Sequence, residues 1–288
     1  MKKNTLLRFF NVTSILFILL CGYANHAFAN QAIPQVSVQL WSVKDEVKAD
    51  ITSTLNAIRS MGFKGVEFAG EFGEFSDKPK DLKALLDKLN LKVSGAHVHF
   101  DKLNAQNFEK TVDFYQTLGC SKLIIPYDER AFDPKGVKEV VAQLNELSTK
   151  LAPFGMQVGF HNHWAEFNEF EKSTYWDYIA KSTNKDVILQ LDVGWVTYAG
   201  KDPVEYVRRY PGRTVITHYK VKLPEGTLGK TPIIGQDTID WANLIKANIR
   251  VGGTQWLVVE QEEYPNGLSP LEAVAMSKKG LDVYLNAL

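Results

Sequence analysis

The stretch Leu151-Ala-Pro-Phe-Gly-Met-Gln-Val-Gly-Phe-His-Asn-His163 decides the fold. An amphipathic run over 134–151 ends where it begins, and Gly155 sits where a helix C-cap needs positive φ. Gln157–Phe160 then reads as a short strand, with two histidines just past its carboxyl end. The order recurs. Gly62 and Gly119 also follow helical segments and precede apolar runs. Further strands are predicted at Val36–Leu40, Gly65–Phe68, Lys92–His97, Lys122–Pro126, Val187–Asp192, Val215–His218 and Trp256–Glu260. Helices are predicted between them at 80–89, 107–118, 175–182, 203–210 and 239–247. Leu82, Leu85, Leu86 and Leu89 show the i, i+3, i+4, i+7 spacing of a helix with one buried face. Eight strands spaced by roughly 27 to 40 residues make eight βα units, the pattern of an α/β (β/α)8 TIM barrel of about 250 residues. A doubly wound open sheet is the rival, but no Gly-x-Gly-x-x-Gly follows a strand. With no Pro/Gly/Ser linker, one domain over 30–288 is expected.

The chain has 288 residues, with 33 Lys+Arg against 33 Asp+Glu. Zero net charge argues against nucleic-acid binding, which needs clustered basic residues. The neutrality combines two unlike segments. Lys2, Lys3 and Arg8 precede the apolar Ile15–Leu20 run, and Ala27-Phe-Ala29 offers small residues at the positions a signal peptidase reads. An export signal over 1–29, cleaved before Asn30, is therefore expected, with a periplasmic or secreted product. An uncleaved anchor is the alternative, but the apolar run is short for a membrane span of about 20 residues. A lipoprotein reading at Cys21 is opposed by Leu20, which stands where a small residue is needed. Cleavage leaves 30 basic and 33 acidic residues, a net charge of −3. It also leaves Cys120 without a disulfide partner, as a small buried hydrophobe.

Only five histidines remain: His97, His99, His161, His163 and His218. Each lies at or just past the carboxyl end of a predicted strand, and in a (β/α)8 barrel those ends converge on one face. Glu67, Asp192 and Glu260 share the pattern. Imidazoles and carboxylates meeting at one point are what a divalent cation requires. Asp192, His218 and Glu260 come from the last three strands at equivalent depth. His161, His163 or Glu166 would complete a four-ligand set. The bland alternative is a hydrogen-bonded polar cluster.

The segments Val158-Gly-Phe-His-Asn-His163, Leu191-Asp-Val-Gly-Trp195, His218-Tyr-Lys220 and Val258-Val-Glu-Gln-Glu262 resemble the xylose isomerase-like barrels, often labelled sugar phosphate isomerase/epimerase. The resemblance runs from Ser37-Val-Gln-Leu-Trp41 to the helix after Pro270 and takes in Gly235-Gln-Asp-Thr-Ile-Asp-Trp241. It implies that Asp192, His218 and Glu260 are metal ligands. His161 falls where many members place a metal-binding Glu, a departure that favours a softer ion such as Zn2+ or Co2+ over Mn2+ or Mg2+. Alternatively Glu166 reaches in from the following loop. Val221 stands where the pattern has Asp, which weakens the expected support of Lys220.

Isomerases, epimerases and sugar dehydratases share one hard step, removal of a proton from carbon next to a carbonyl. A divalent cation stabilises the developing enediolate, while a base takes the proton and an acid returns it. His163, Lys220 and Glu262 are the expected catalytic groups. Glu67, His97, His99 and Trp195 are the expected substrate contacts, and the indoles of Trp41, Trp164 and Trp195 are placed to stack on a sugar. The letters His161-Asn162-His163 match nuclease signatures only weakly, since the ββα-metal context is absent. The implied partner is a small-molecule sugar or keto-sugar, without nucleic acid or, after cleavage, stable membrane association. A homo-oligomer is compatible with the sequence. A non-catalytic carbohydrate-binding protein on a retired TIM barrel is the alternative that Val221 and His161 keep open.

Overall fold

The computed structural model describes residues 32–288. The expected export segment over 1–29, with Cys21, lies outside the described residues. Eight strands form the barrel: β1 Gln35–Gln39, β2 Gly65–Phe68, β3 Lys92–His97, β4 Lys122–Ile125, β5 Gln157–His161, β6 Ile188–Gln190, β7 Ile216–Lys220 and β8 Trp256–Glu260. All neighbouring pairs are parallel, and β8 pairs with β1. The ring is nearly closed between β6 and β7, where a single bridge joins Asp192 to His218 and the His218 N–H donates to the Leu191 carbonyl at 2.9 Å.

Helices α1 Lys44–Ser60, α2 Pro79–Lys88, α3 Phe108–Thr117, α4 Gly136–Leu151, α5 Tyr175–Ser182, α6 Val193–Tyr198, α7 Pro203–Arg209, α8 Trp241–Ala247 and α9 Pro270–Leu285 lie between and after the strands. Their buried faces are apolar, as with Val137, Val140, Leu144, Leu147 and Leu151 of α4. Gly62, Gly119 and Gly155 adopt the positive φ that their positions after helices predict. Among the described residues, no helix is long and apolar enough to cross a membrane.

Alternation along the strands sets the height of the site. Residues two apart share a face, so the barrel interior changes from apolar to charged toward the carboxyl ends. Ile124, Ile188, Ile216, Trp256 and Val258 form an apolar plug at the lower level. Above it come Gln190, His218 and Glu67, all buried, and then Asp192, Lys220 and Glu260. Backbone room is needed in this ladder: a Cβ on Gly95 would lie 2.9 Å from Glu67 Oε1 and 3.0 Å from Ile216 Cδ1.

The expected sixth strand, Val187–Asp192, is shorter in the structure. Asp192 leaves the ladder to serve as N-cap of α6, its Oδ1 accepting from the Trp195 N–H at 3.0 Å. The expected seventh strand extends two residues further and includes Lys220.

Candidate metal centre

His161 ends β5, Asp192 follows β6, His218 is central in β7 and Glu260 ends β8. One donor atom from each lies within 4.8 Å of the others, and all four residues are buried. Each is held from behind. The second oxygen of the Asp192 carboxylate, Oδ1, is fixed by the α6 cap. Asn162 clamps the Asp192 backbone, accepting from its N–H at 2.9 Å and donating to its carbonyl at 3.3 Å. His218 lies between two carboxylates, with Nδ1 2.9 Å from Glu260 Oε2 and Nε2 in a shorter contact with Glu67 Oε2.

A glutamine fixes the protons of the histidines. Gln190 Nε2 donates to Glu67 Oε1 at 2.8 Å, which leaves Gln190 Oε1 to face His97 Nε2 at 2.8 Å and His161 Nδ1 at 2.9 Å. The reverse amide orientation would set an oxygen against a carboxylate. Both histidines must therefore donate to Gln190. Burial, reinforced by His218 and His97, holds His161 well below the usual imidazole range, so its ring is neutral and its Nε2 carries a lone pair. That lone pair lies 3.6 Å from Asp192 Oδ2, which is buried and has no hydrogen-bond partner. Asp192 Oδ2 is thus a buried acceptor with no donor within hydrogen-bond distance, the Lys220 ammonium lying 3.8 Å away. Such an arrangement is costly unless a cation joins it, and a donor set of two imidazoles and two carboxylates fits a divalent metal of the zinc type.

Charges around the cluster are arranged in pairs. Burial opposes the imidazolium of His218, but Glu67 and Glu260 outweigh it and raise the group to about 10. Burial raises Asp192 to about 7, with Lys220 opposing and Glu260 reinforcing the rise. Lys220 is buried too, yet Glu260, Asp192 and Glu262 hold its ammonium above the usual lysine range. It is 3.6 Å from Glu260, 3.8 Å from Asp192 and in closest contact with Glu262. A base role for a neutral Lys220 is thus opposed, and its geometry is that of a hydrogen-bond donor. Support from position 221 is replaced: Val221 is a buried core residue, and Glu262 supplies the carboxylate.

A cavity of about 580 Å3 opens above the cluster, lined in part by His97, His99, His163, Lys220, Glu260 and Glu262. Burial, then Lys220, lowers His163 to about 4, and its Nδ1 has no partner. Trp195 lies against His163 at 5.4 Å between ring centroids, with Lys220 4.9 Å from its ring.

Two carboxylates stand apart from the cavity. Glu67 is fully buried beneath His218, with Gln39 and Gln190 donating to it, which is a supporting position. Glu166 does not join the four-residue cluster, because Oε2 accepts from the His163 N–H at 3.0 Å and folds back on its own loop. Burial raises Glu166 to about 7. Gln39, Asn162 and Gln190 were not singled out in the sequence. The available signal was the two-residue step from Gln190 to Asp192, which puts both on the interior face.

Residues 55–286 match the family model described as xylose isomerase-like TIM barrel. Inosose dehydratase of Clostridium botulinum (strain Alaska E43 / Type E3) is 24% identical over 73% of this chain and 82% of its own length. The crystal structure of a sugar phosphate isomerase/epimerase from Parabacteroides distasonis ATCC 8503 superposes with a TM-score of 0.72 at 24% identity, covering 91% of this chain and 99% of that one. The IOLI protein, solved with a zinc atom, superposes with a TM-score of 0.66 at 17% identity, covering 88% of this chain and 98% of that one. At these identities the structural likenesses bear on the fold alone, whereas the family match spans most of the chain. The chain belongs to the xylose isomerase-like TIM barrel family.

Proposed function

We propose that the protein is a divalent-metal enzyme acting on a sugar or keto-sugar by removing a proton from carbon next to a carbonyl. Isomerisation or epimerisation is the leading outcome, with dehydration or another elimination close behind. The observation that carries this reading is Asp192 Oδ2, buried without a hydrogen-bond partner and 3.6 Å from His161 Nε2, inside the four-residue cluster. The name of the sequence relative supports it: a dehydratase, such as inosose dehydratase, is a lyase.

His161, Asp192, His218 and Glu260 would hold the ion. When bound, it would supply Lewis-acid stabilisation of negative charge developing on substrate oxygens. The protein's own groups account for the proton. His163 lines the cavity, and burial keeps its ring neutral at pH 7, so it is the candidate base. The Lys220 ammonium suits donation to a substrate hydroxyl or oxyanion. Glu262 contacts Lys220 from the cavity wall and is placed to relay the returning proton. His97, His99 and Trp195 would orient the sugar.

We further propose that residues 1–29 export the chain and that residues 30–288 act as one domain in the periplasm or outside the cell. N-terminal sequencing of protein from the periplasmic fraction should begin at Asn30, and a retained leader would overturn that part. For the chemistry, keto-sugars incubated with metal-loaded protein in D2O should take up deuterium at the carbon next to the carbonyl. Sugar binding with no bound metal and no deuterium uptake would favour the non-catalytic binding protein.

A further inference from the structure

The cavity also bears on what is attached to the sugar, given the reading of the site above. Its volume of about 580 Å3 lies within the range of about 300–1,000 Å3 typical of sites that enclose a drug-sized ligand. The candidate catalytic groups line the end at the metal cluster, and Ser76, Lys102, Asn107, Lys110 and Thr111 add polar wall away from it. Much of the remaining wall is aromatic: Trp41, Phe72, Phe114, Tyr115 and Tyr127. Phe72 meets Phe114 edge-on at 4.8 Å and lies 6.3 Å from Tyr115, so this wall is a packed surface.

The rim repeats the pattern. Among the described residues, the exposed aromatics are Trp41 (44%), Tyr127 (47%), Phe154 (43%), Trp164 (48%) and Tyr264 (40%). Four of the five follow β1, β4, β5 and β8 on the carboxyl face, leaving only Phe154 elsewhere. Of these, Trp41 and Tyr127 line the cavity itself, Trp41 with the Lys44 ammonium 3.9 Å from its ring, and exposed aromatic rings at a mouth mark a surface that something covers. Flat rings suit the C–H faces of a sugar ring or another aromatic ring. A phosphate would instead need converging N–H or guanidinium donors. No arginine lines the cavity; away from the metal cluster its lysines are Lys102, 3.3 Å from Asp101, and Lys110, which lies with Asn107 and Thr111 at the start of α3.

We propose that the substrate is a glycoside, a sugar carrying a second six-membered ring through oxygen, with the reacting sugar at the metal cluster and the second ring against the aromatic wall. This rests on the metal-site reading only for which end receives the reacting sugar. The second ring, saccharide or aryl, is recognised by the same apolar face.

Calorimetric titration of the zinc-loaded protein tests it. The probes are methyl and phenyl glycosides and glucosyl disaccharides in the gluco and galacto series, both anomers, with glucose 6-phosphate alongside. A two-ring probe should bind at least about ten-fold tighter than its methyl counterpart. Trp41→Ala/Tyr127→Ala should reduce that preference to about three-fold or less, two-ring affinity falling more than methyl glycoside affinity. Both residues are exposed, so the variant should fold, and circular dichroism checks it. A stronger phenyl than disaccharide response identifies the second ring as aryl, and the reverse as saccharide. Equal affinities, tightest binding of the phosphate, no binding of any two-ring probe, or a preference that survives the double variant would overturn the proposal. Deuterium uptake in D2O reads the proton-transfer chemistry separately, so either reading can fail alone.

Discussion

Gln190→Leu should disable the centre without touching a ligand. The Gln190 amide makes three hydrogen bonds between 2.8 and 2.9 Å, two buried, to Glu67 and His161, and one half-buried, to His97. Leucine fills similar space but takes the partner from Glu67 Oε1, His161 Nδ1 and the half-buried His97 Nε2. At about 1–3 kcal/mol for each such group, with partial relaxation, the loss is about 3–6 kcal/mol. That is a large part of a typical stability of 5–15 kcal/mol and corresponds to a fall in Tm of roughly 10–20 °C for a barrel of this size. A second effect is chemical. Without the Gln190 oxygen, the His161 proton is no longer confined to Nδ1, and Nε2 is no longer reserved for a cation. Losing such a supporting bond should weaken zinc binding about 10–100-fold. Thermal melts with and without zinc, together with competition against a zinc-binding dye, read both effects. Gln190→Glu is the informative companion: it keeps an acceptor for both histidines but sets a second carboxylate against Glu67. It should retain zinc affinity better than it retains stability. A leucine variant that binds zinc like the wild type would refute the reasoning.

Gly95→Ala should cost about 1–3 kcal/mol by overpacking, because its Cβ would press on Glu67 Oε1 and Ile216 Cδ1; denaturant melts and zinc titration would register the displaced Glu67. Lys220→Met should lower the deuterium-uptake rate about 10²–10⁴-fold while zinc affinity is kept or rises, since a competing cation beside Asp192 and Glu260 is gone. Far from the centre, the Asp177 carboxylate accepts hydrogen bonds from Ser173, Thr174, Arg209 and Tyr210. Although burial opposes them, they depress it to about 2 from 3.8. A depressed carboxylate stabilises the fold above its unfolded value and loses that contribution as pH falls through the folded one. Asp177 should therefore withdraw about 2 kcal/mol between pH 5 and pH 2. Asp177→Asn should flatten that part of the acid-unfolding curve.

The strand ends were legible because the chemistry is concentrated there. Five histidines and three carboxylates at strand termini needed only the (β/α)8 rule to bring them to one face. The supporting layer was not legible. A glutamine in a strand reads as ordinary until closure of the barrel sets Gln190 against Glu67, 123 residues away in sequence. Glu67 itself shows why position along a strand is insufficient. One level of depth separates a supporting carboxylate from a substrate contact, and that level depends on register between β1, β2 and β3. Val221 gave a sound warning that Lys220 lacks its usual neighbour, but only the folded chain shows Glu262 taking that place. The short sixth strand was hidden for a local reason: Asp192 caps a helix while its other oxygen faces the cluster.

The central claim is that His161, Asp192, His218 and Glu260 hold one divalent ion. A crystal of the zinc-soaked protein, measured on both sides of the zinc absorption edge, tests this most directly. One strong anomalous peak is expected, bounded by His161 Nε2, Asp192 Oδ2, His218 Nδ1 and a Glu260 oxygen. A fully occupied zinc peak elsewhere, or none at the cluster under saturating zinc, would contradict it.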